Sequence, residues 1–96
     1  MNIDFGTSGL ETAETAQAGK LKYPISAIFS LRKKLVLLRS APDERTLRNW
    51  KSLHYEKLQG DRSHQRSIRL NKQWRMIFEL RDKPLTILII SIEDYH

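Results

Sequence analysis

The sequence has 96 residues, room for one domain and one modest core, and its 40% apolar and 29% charged side chains exclude a disordered chain. Without cysteine there are no disulfides or thiolate metal sites, and no apolar run approaches a membrane span or a signal peptide, so a cytoplasmic single domain over residues 1–96 is expected, with no cofactor. The net charge is +6, but all 17 Lys and Arg residues and only 8 of the 11 acidic ones lie beyond residue 19. A surface so basic attracts polyanions, with nucleic acid the foremost, although a solvated basic face without a partner has the same composition.

Met1 to Phe5 alternates weakly and ends at Gly6, as a short edge strand does. Residues 7–19 are small and polar, a helix or a loosely held cap. A clearer helix begins near Pro24 or Ser26, with Ile28, Leu31, Leu35 and Leu38 at the three-and-four spacing of one face and Arg32, Lys33, Lys34 and Arg39 off it. An amphipathic helix covering a sheet accounts for this pattern; a nucleic-acid-binding helix is the other reading. Ala41-Pro42 ends it. A short second helix is expected from Asp43 to about Trp50, burying Leu47 and Trp50.

From Tyr55 the period changes to two. Strands are expected at Tyr55–Leu58, Ser67–Leu70, Trp74–Leu80 and Leu85–Ile92, with turns at Gly60-Asp61 and Arg81–Pro84. The last strand is apolar on both faces, as a central strand is. The fold class is α+β: N-terminal helices packed on a mainly antiparallel, roughly four-stranded sheet.

The hairpin register bears on chemistry. Ile68 and Leu70 share one face of their strand, and Trp74, Met76 and Phe78 share one face of the next. A two-residue loop would set Arg69 against Trp74 and place charge on the apolar face. A three-residue loop, Asn71-Lys72-Gln73, pairs Leu70 with Trp74, Ile68 with Met76, and Arg69 with Arg75 on the face away from the core. Opposed like charges cost up to about 1 kcal/mol, a cost removed by an anion held between two guanidinium forks. Alternatively each arginine pairs with a carboxylate such as Glu79 or Glu56.

The segment Ile92-Glu93-Asp94-Tyr95-His96 follows the strongest strand, and the sheet is expected to end by about Ile92. An exposed His near Asp and Tyr has the parts of a metal-free ribonuclease. Such an enzyme takes a proton from the 2′-hydroxyl, stabilises a crowded phosphorane, and protonates the departing 5′-oxygen.

"YEKLQGDRSHQRSIRLNKQWRMIF", Tyr55 to Phe78, resembles the central block of the HigB family of RelE-like toxins, and "IEDYH" resembles that family's Asp-Tyr-His ending. The first 50 residues match only in layout. The resemblance implies a type II toxin that enters the ribosomal decoding site and cleaves the bound mRNA without metal. It implies a catalytic set of Arg69, Arg75, Asp94, Tyr95 and His96, with His96 transferring protons, the arginines holding the phosphate, and Asp94 and Tyr95 orienting. These groups are expected to gather on the sheet's outward surface. It also implies an antitoxin of the HigA helix-turn-helix type beside the ribosome and mRNA as partners, with no membrane and no metal.

Some relatives carry a functional His two residues before the Leu of Leu-x-Gly-Asp; that position here is Glu56, with His54 two residues earlier. His54 or Glu56 is the candidate second proton-transfer group, and Lys57 beside them a candidate RNA contact. His64 is expected on the surface, and Trp50 and Trp74 as core anchors rather than base-stacking platforms. Two other functions fit the sequence: a toxin of the same fold that poisons a topoisomerase, and a plain nucleic-acid-binding module.

Overall fold

A computed structural model describes residues 1–6, 9–15 and 21–94, in which a five-stranded sheet is covered on one face by one long helix. Strand β1 (Asn2–Phe5) leads to a 3-10 turn (Leu10–Glu14) and then to helices α1 (Ile25–Ser40) and α2 (Glu44–Asn49). After a 3-10 turn at Lys51–Leu53 come β2 (Glu56–Lys57), a 3-10 turn at Gly60–Arg62, β3 (Arg66–Arg69), β4 (Trp74–Arg81) and β5 (Thr86–Asp94). The strand order is β1-β5-β4-β3-β2, and every pairing is antiparallel except β1 with β5.

The fold class is as the sequence implies, with the strand count corrected from four to five. The short edge strand expected at the start of the chain is β1, and it joins the four later strands through a parallel pairing with β5 that needs the whole intervening chain as its crossover. Gly6 continues that ladder: its N–H reaches the Ile89 carbonyl at 2.7 Å, and a Cβ at Gly6 would stand 3.1 Å from the same oxygen. The expected strand at Tyr55–Leu58 shrinks to Glu56–Lys57, because only those two residues pair with β3.

Helix α1 buries Leu31, Leu35 and Leu38 against Ile68, Met76, Phe78, Ile87 and Ile89 of the sheet, and this stripe is the one its spacing predicts. The Ser30 hydroxyl bonds the Leu70 carbonyl, so α1 crosses the β3–β4 turn. Helix α2 is capped by Asp43, whose carboxylate accepts the Thr46 N–H at 2.9 Å, and it buries Leu47. Trp50 and Trp74 are half-buried against the core, as expected of anchors.

Between β4 and β5 the register shifts by one residue. Ile77 faces Ser91 but Phe78 faces Ile89, so Ile90 is the extra residue of a bulge. Before the bulge Ile87 and Ile89 face the core; after it Ile92 does. Strand β5 also runs on to Asp94, past the expected end at Ile92, because Trp74 and Asp94 still pair.

Helix α2 is joined to the sheet by a polar cluster. Tyr55 donates its hydroxyl to Glu44, and the Arg66 Nε approaches Tyr55 at 3.2 Å and Glu44 at 3.4 Å. The Tyr55 bond, helped by Arg48 and Arg66 and opposed by burial, holds the Glu44 carboxyl below its ordinary 4.5. Burial, reinforced by Glu44, pushes the Tyr55 phenol up to about 12. A carboxyl whose folded value is depressed contributes stability above its unfolded value and loses it as pH falls through the folded one. The Tm of the wild type is therefore expected to fall more steeply on acidification below about pH 4.5 than that of Glu44→Gln. Parallel slopes in thermal melts would show that Glu44 is not coupled to folding.

Candidate functional site

The turn joining β3 to β4 is built by Asn71, whose side-chain oxygen accepts the N–H groups of Gln73 and Trp74, both at 2.9 Å. The Leu70 N–H closes on the Trp74 carbonyl at 2.8 Å. This three-residue loop sets Ile68 opposite Met76 and Arg69 opposite Arg75, as the hairpin argument requires. The arginines thus share the face turned away from α1.

They are not equivalent. Arg75 is only 7% exposed, yet it is not in the apolar interior. Its Nε donates to the Ser67 hydroxyl at 2.9 Å, its Nη2 donates to the His54 carbonyl at 2.6 Å, and the Glu56 carboxylate lies 3.7 Å away. The carboxylate-paired alternative therefore holds in part for Arg75. The His54 backbone is in the left-handed region, φ 47°, at the end of the 3-10 turn from Lys51 to Leu53. Such a conformation costs a non-glycine residue about 1 kcal/mol or more, and the bond from Arg75 offsets that cost while fixing where the imidazole emerges.

Arg69 is more open. Its Nε donates to the Asn71 carbonyl at 3.2 Å, and its Nη1 lies 3.5 Å from the His54 Nε2. Around it lie two adjoining clefts. One, of about 240 Å³, is lined by Arg69, Asn71, Lys72 and Arg75. The other, of about 410 Å³, is lined by Lys34, Ser52, His54, Arg69, Leu70, Asn71 and Lys72. Neither lining includes a carboxylate. The cations and the serine hydroxyl that line the clefts are donors suited to a phosphodiester.

Carboxylates on the same sheet face are occupied elsewhere. Glu93 stands opposite Arg75 on β5, but Arg62 grips it with two bonds at 3.1 and 2.7 Å, and Ser91 donates at 2.7 Å. Arg62 first, and Ser91 after it, hold the Glu93 carboxyl below its ordinary value against the effect of burial. Coming from the β2–β3 connection, Arg62 reaches across β3 and β4 to meet β5. Among the described residues no cluster of three His, Cys, Asp or Glu side chains is placed to hold a metal ion, and no helix is long and apolar enough to cross a membrane.

Residues 8–96 match the HigB-like toxin family, described as the RelE-like toxin of type II toxin-antitoxin system HigB. The chain belongs to that family. Among solved structures it is similar to the YoeB/ParE toxin from Agrobacterium tumefaciens, with TM-score 0.61, 13% identity and complete coverage of both chains. It is also similar to the YoeB–YefM complex from Staphylococcus aureus (0.56, 20%, covering 100% of this chain and 97% of that one). The E. coli DinJ–YafQ toxin–antitoxin complex is similar as well (0.52, 17%, covering 97% and 90%). At these identities the likeness is one of fold. No curated protein matches the sequence.

In this HigB-like chain the structure brings His54, Arg69 and Arg75 together, with Glu56 beside Arg75. Asp94 is placed otherwise than on the arginines' face: it pairs with Trp74, and the bulge at Ile90 gives Glu93 the place opposite Arg75. Asp94 still adjoins the turn, accepting from the Gln73 amide at 3.0 Å. Lys57 pairs with Arg66 and points away from the Glu56 side of β2, outside both clefts. Tyr95 and His96 lie outside the described residues. His64 is exposed, 3.7 Å from Glu79.

Lys34, Ser52, Asn71 and Lys72 were not singled out from the sequence. Only Lys34 had a usable signal: at 100° per residue it borders the buried stripe of α1, whereas Arg32 and Lys33 point outward. The unequal burial of the arginines gives a stability test. Bonds made by a charged group contribute about 1.5–3 kcal/mol, so Arg75→Ala is expected to lower the unfolding free energy by at least about 2 kcal/mol in urea titrations. Arg69→Ala is expected to cost under about 1 kcal/mol. Equal losses would contradict the division of roles.

Proposed function

We propose that this toxin is a ribosome-dependent endoribonuclease that cleaves mRNA during translation and arrests growth. The observation that carries the reading is the cleft around Arg69, lined by Lys34, His54 and Lys72 with no carboxylate. The family membership supports it.

Arg69, with Lys72 and Lys34, binds the scissile phosphate and stabilises the charge gathering on it as the phosphorane forms. One imidazole takes the proton of the 2′-hydroxyl; the freed oxygen attacks phosphorus, the bond to the 5′-oxygen breaks, and that oxygen takes a proton from the second imidazole. The products are a 2′,3′-cyclic phosphate and a 5′-hydroxyl. His96 and His54 are the proposed pair, with Glu56 as the other candidate for the second role and Asp94 and Tyr95 orienting His96. Arg75 serves this chemistry by fixing His54. The ribosome supplies the geometry of the message, so the reaction belongs in the cytoplasm. The DinJ–YafQ relative is a toxin–antitoxin complex, and the proposed protein partner here is likewise an antitoxin, of the HigA helix-turn-helix type.

The test adds the purified chain to translating ribosomes with a defined message and maps the new 5′ ends. Cuts are expected only in ribosome-bound message. Arg69→Ala is expected to lower the cleavage rate about 10²–10³-fold, and His96→Ala about 10²–10⁴-fold. An intact message alongside inhibited DNA supercoiling, or alongside RNA retention without cutting, would refute the nuclease reading.

A further inference from the structure

The outer surface of α1 carries side chains that neither the core nor the cleft uses. Ile25, Phe29 and Val36 are 66%, 55% and 66% exposed, and they are the large apolar residues left in solvent among those described. With Arg32 they fall at successive spacings of four, three and four residues. That is the spacing of a seam that receives a second helix, where a and d positions alternate. At 100° per residue the three apolar side chains lie within 40° of one another, a single ridge rather than scattered exposure.

The borders of the ridge are basic. Arg32 and Arg39 run along one side of it and Lys33 along the other; Arg32 and Lys33 are exposed, while Arg39 is already paired with Glu14. No acidic residue occurs anywhere in α1. This pattern decides the occupant. A second copy laid on the same ridge would set cations against cations on both flanks, which costs rather than contributes energy. A helix with an apolar seam and glutamates or aspartates beside it would cover the ridge and pair its borders.

We infer that the outer ridge of α1 is a docking surface for an acidic-flanked amphipathic helix of a partner polypeptide, and that the antitoxin supplies it. The source of the helix rests on the toxin–antitoxin reading above; the geometry and charge of the surface do not. The ridge and the cleft share no residue: Lys34, on the cleft side of the helix, is the nearest cationic member of the cleft. An antitoxin helix seated here holds the toxin without entering the cleft itself.

The antitoxin encoded beside the toxin is titrated into the purified full-length chain and its variants by calorimetry. Phe29→Glu and Val36→Glu are each expected to weaken binding by about 30-fold or more. The double variant Arg32→Glu with Lys33→Glu is expected to weaken it and to flatten its dependence on salt. All of these positions are exposed, so the Tm should stay at the wild-type value and cleavage of ribosome-bound message without antitoxin should be unchanged. Unaltered affinity in all three variants would overturn the inference, as would a chain that sediments alone as a dimer and is split by Phe29→Glu. Loss of affinity in a protein that never cuts message would uphold the docking surface while removing the nuclease reading.

Discussion

The buried guanidinium of Arg75 is the constraint on which the site depends. It sits on β4, binds Ser67 on the neighbouring strand, and holds the carbonyl of His54 in a left-handed backbone conformation that is uncommon for a residue with a Cβ. A charge so enclosed is tolerated only where its donors find partners. Here the partners are a hydroxyl, a carbonyl and, at longer range, the carboxylate of Glu56. The sheet thereby dictates the position of a residue that belongs to no strand.

The second arginine has a different duty because of where the hairpin ends. Arg69 is the last residue of β3, next to a turn whose backbone is set by Asn71. Its guanidinium reaches into open cleft instead of being enclosed. The negative groups on that sheet face are engaged with other partners, Glu93 most completely through Arg62 and Ser91. What results is a positive recess in a surface whose carboxylates are largely neutralised in place, the arrangement that favours a polyanion over a small counter-ion.

Much of this was legible in the sequence where a local pattern had only one consistent outcome. The stripe from Ile28 to Leu38 could bury itself only as a helix face, and apolar matching across the hairpin left one register, which fixed Arg69 against Arg75. The parts that escaped depend on long-range or irregular backbone. The pairing of β1 with β5 brings Asn2 beside Thr86, a contact that no period announces. The fate of Arg75 depended on the turn before β2, whose left-handed histidine has no glycine or asparagine to signal it. The grouping of Asp94 with the arginines comes from the Asp-Tyr-His ending, which carries no register, and no local signal marks the bulge at Ile90 that places Glu93 opposite Arg75.

The bulge has a consequence for how this strand can vary. Apolar side chains on both sides of Ile90 need the same face, but they are separated by an odd count, since Ile89 and Ile92 are three apart. One surplus residue absorbs the mismatch. Excising it would leave every pairing in place, whereas drawing it into an unbroken ladder opposite Ile77 would turn Ile92 outward, bring Glu93 onto the helix-covered side and carry Asp94 to the arginines' face. The strand behaves as a two-position selector in which a single step of register, with no change of composition, decides which carboxylate is presented to the cationic face.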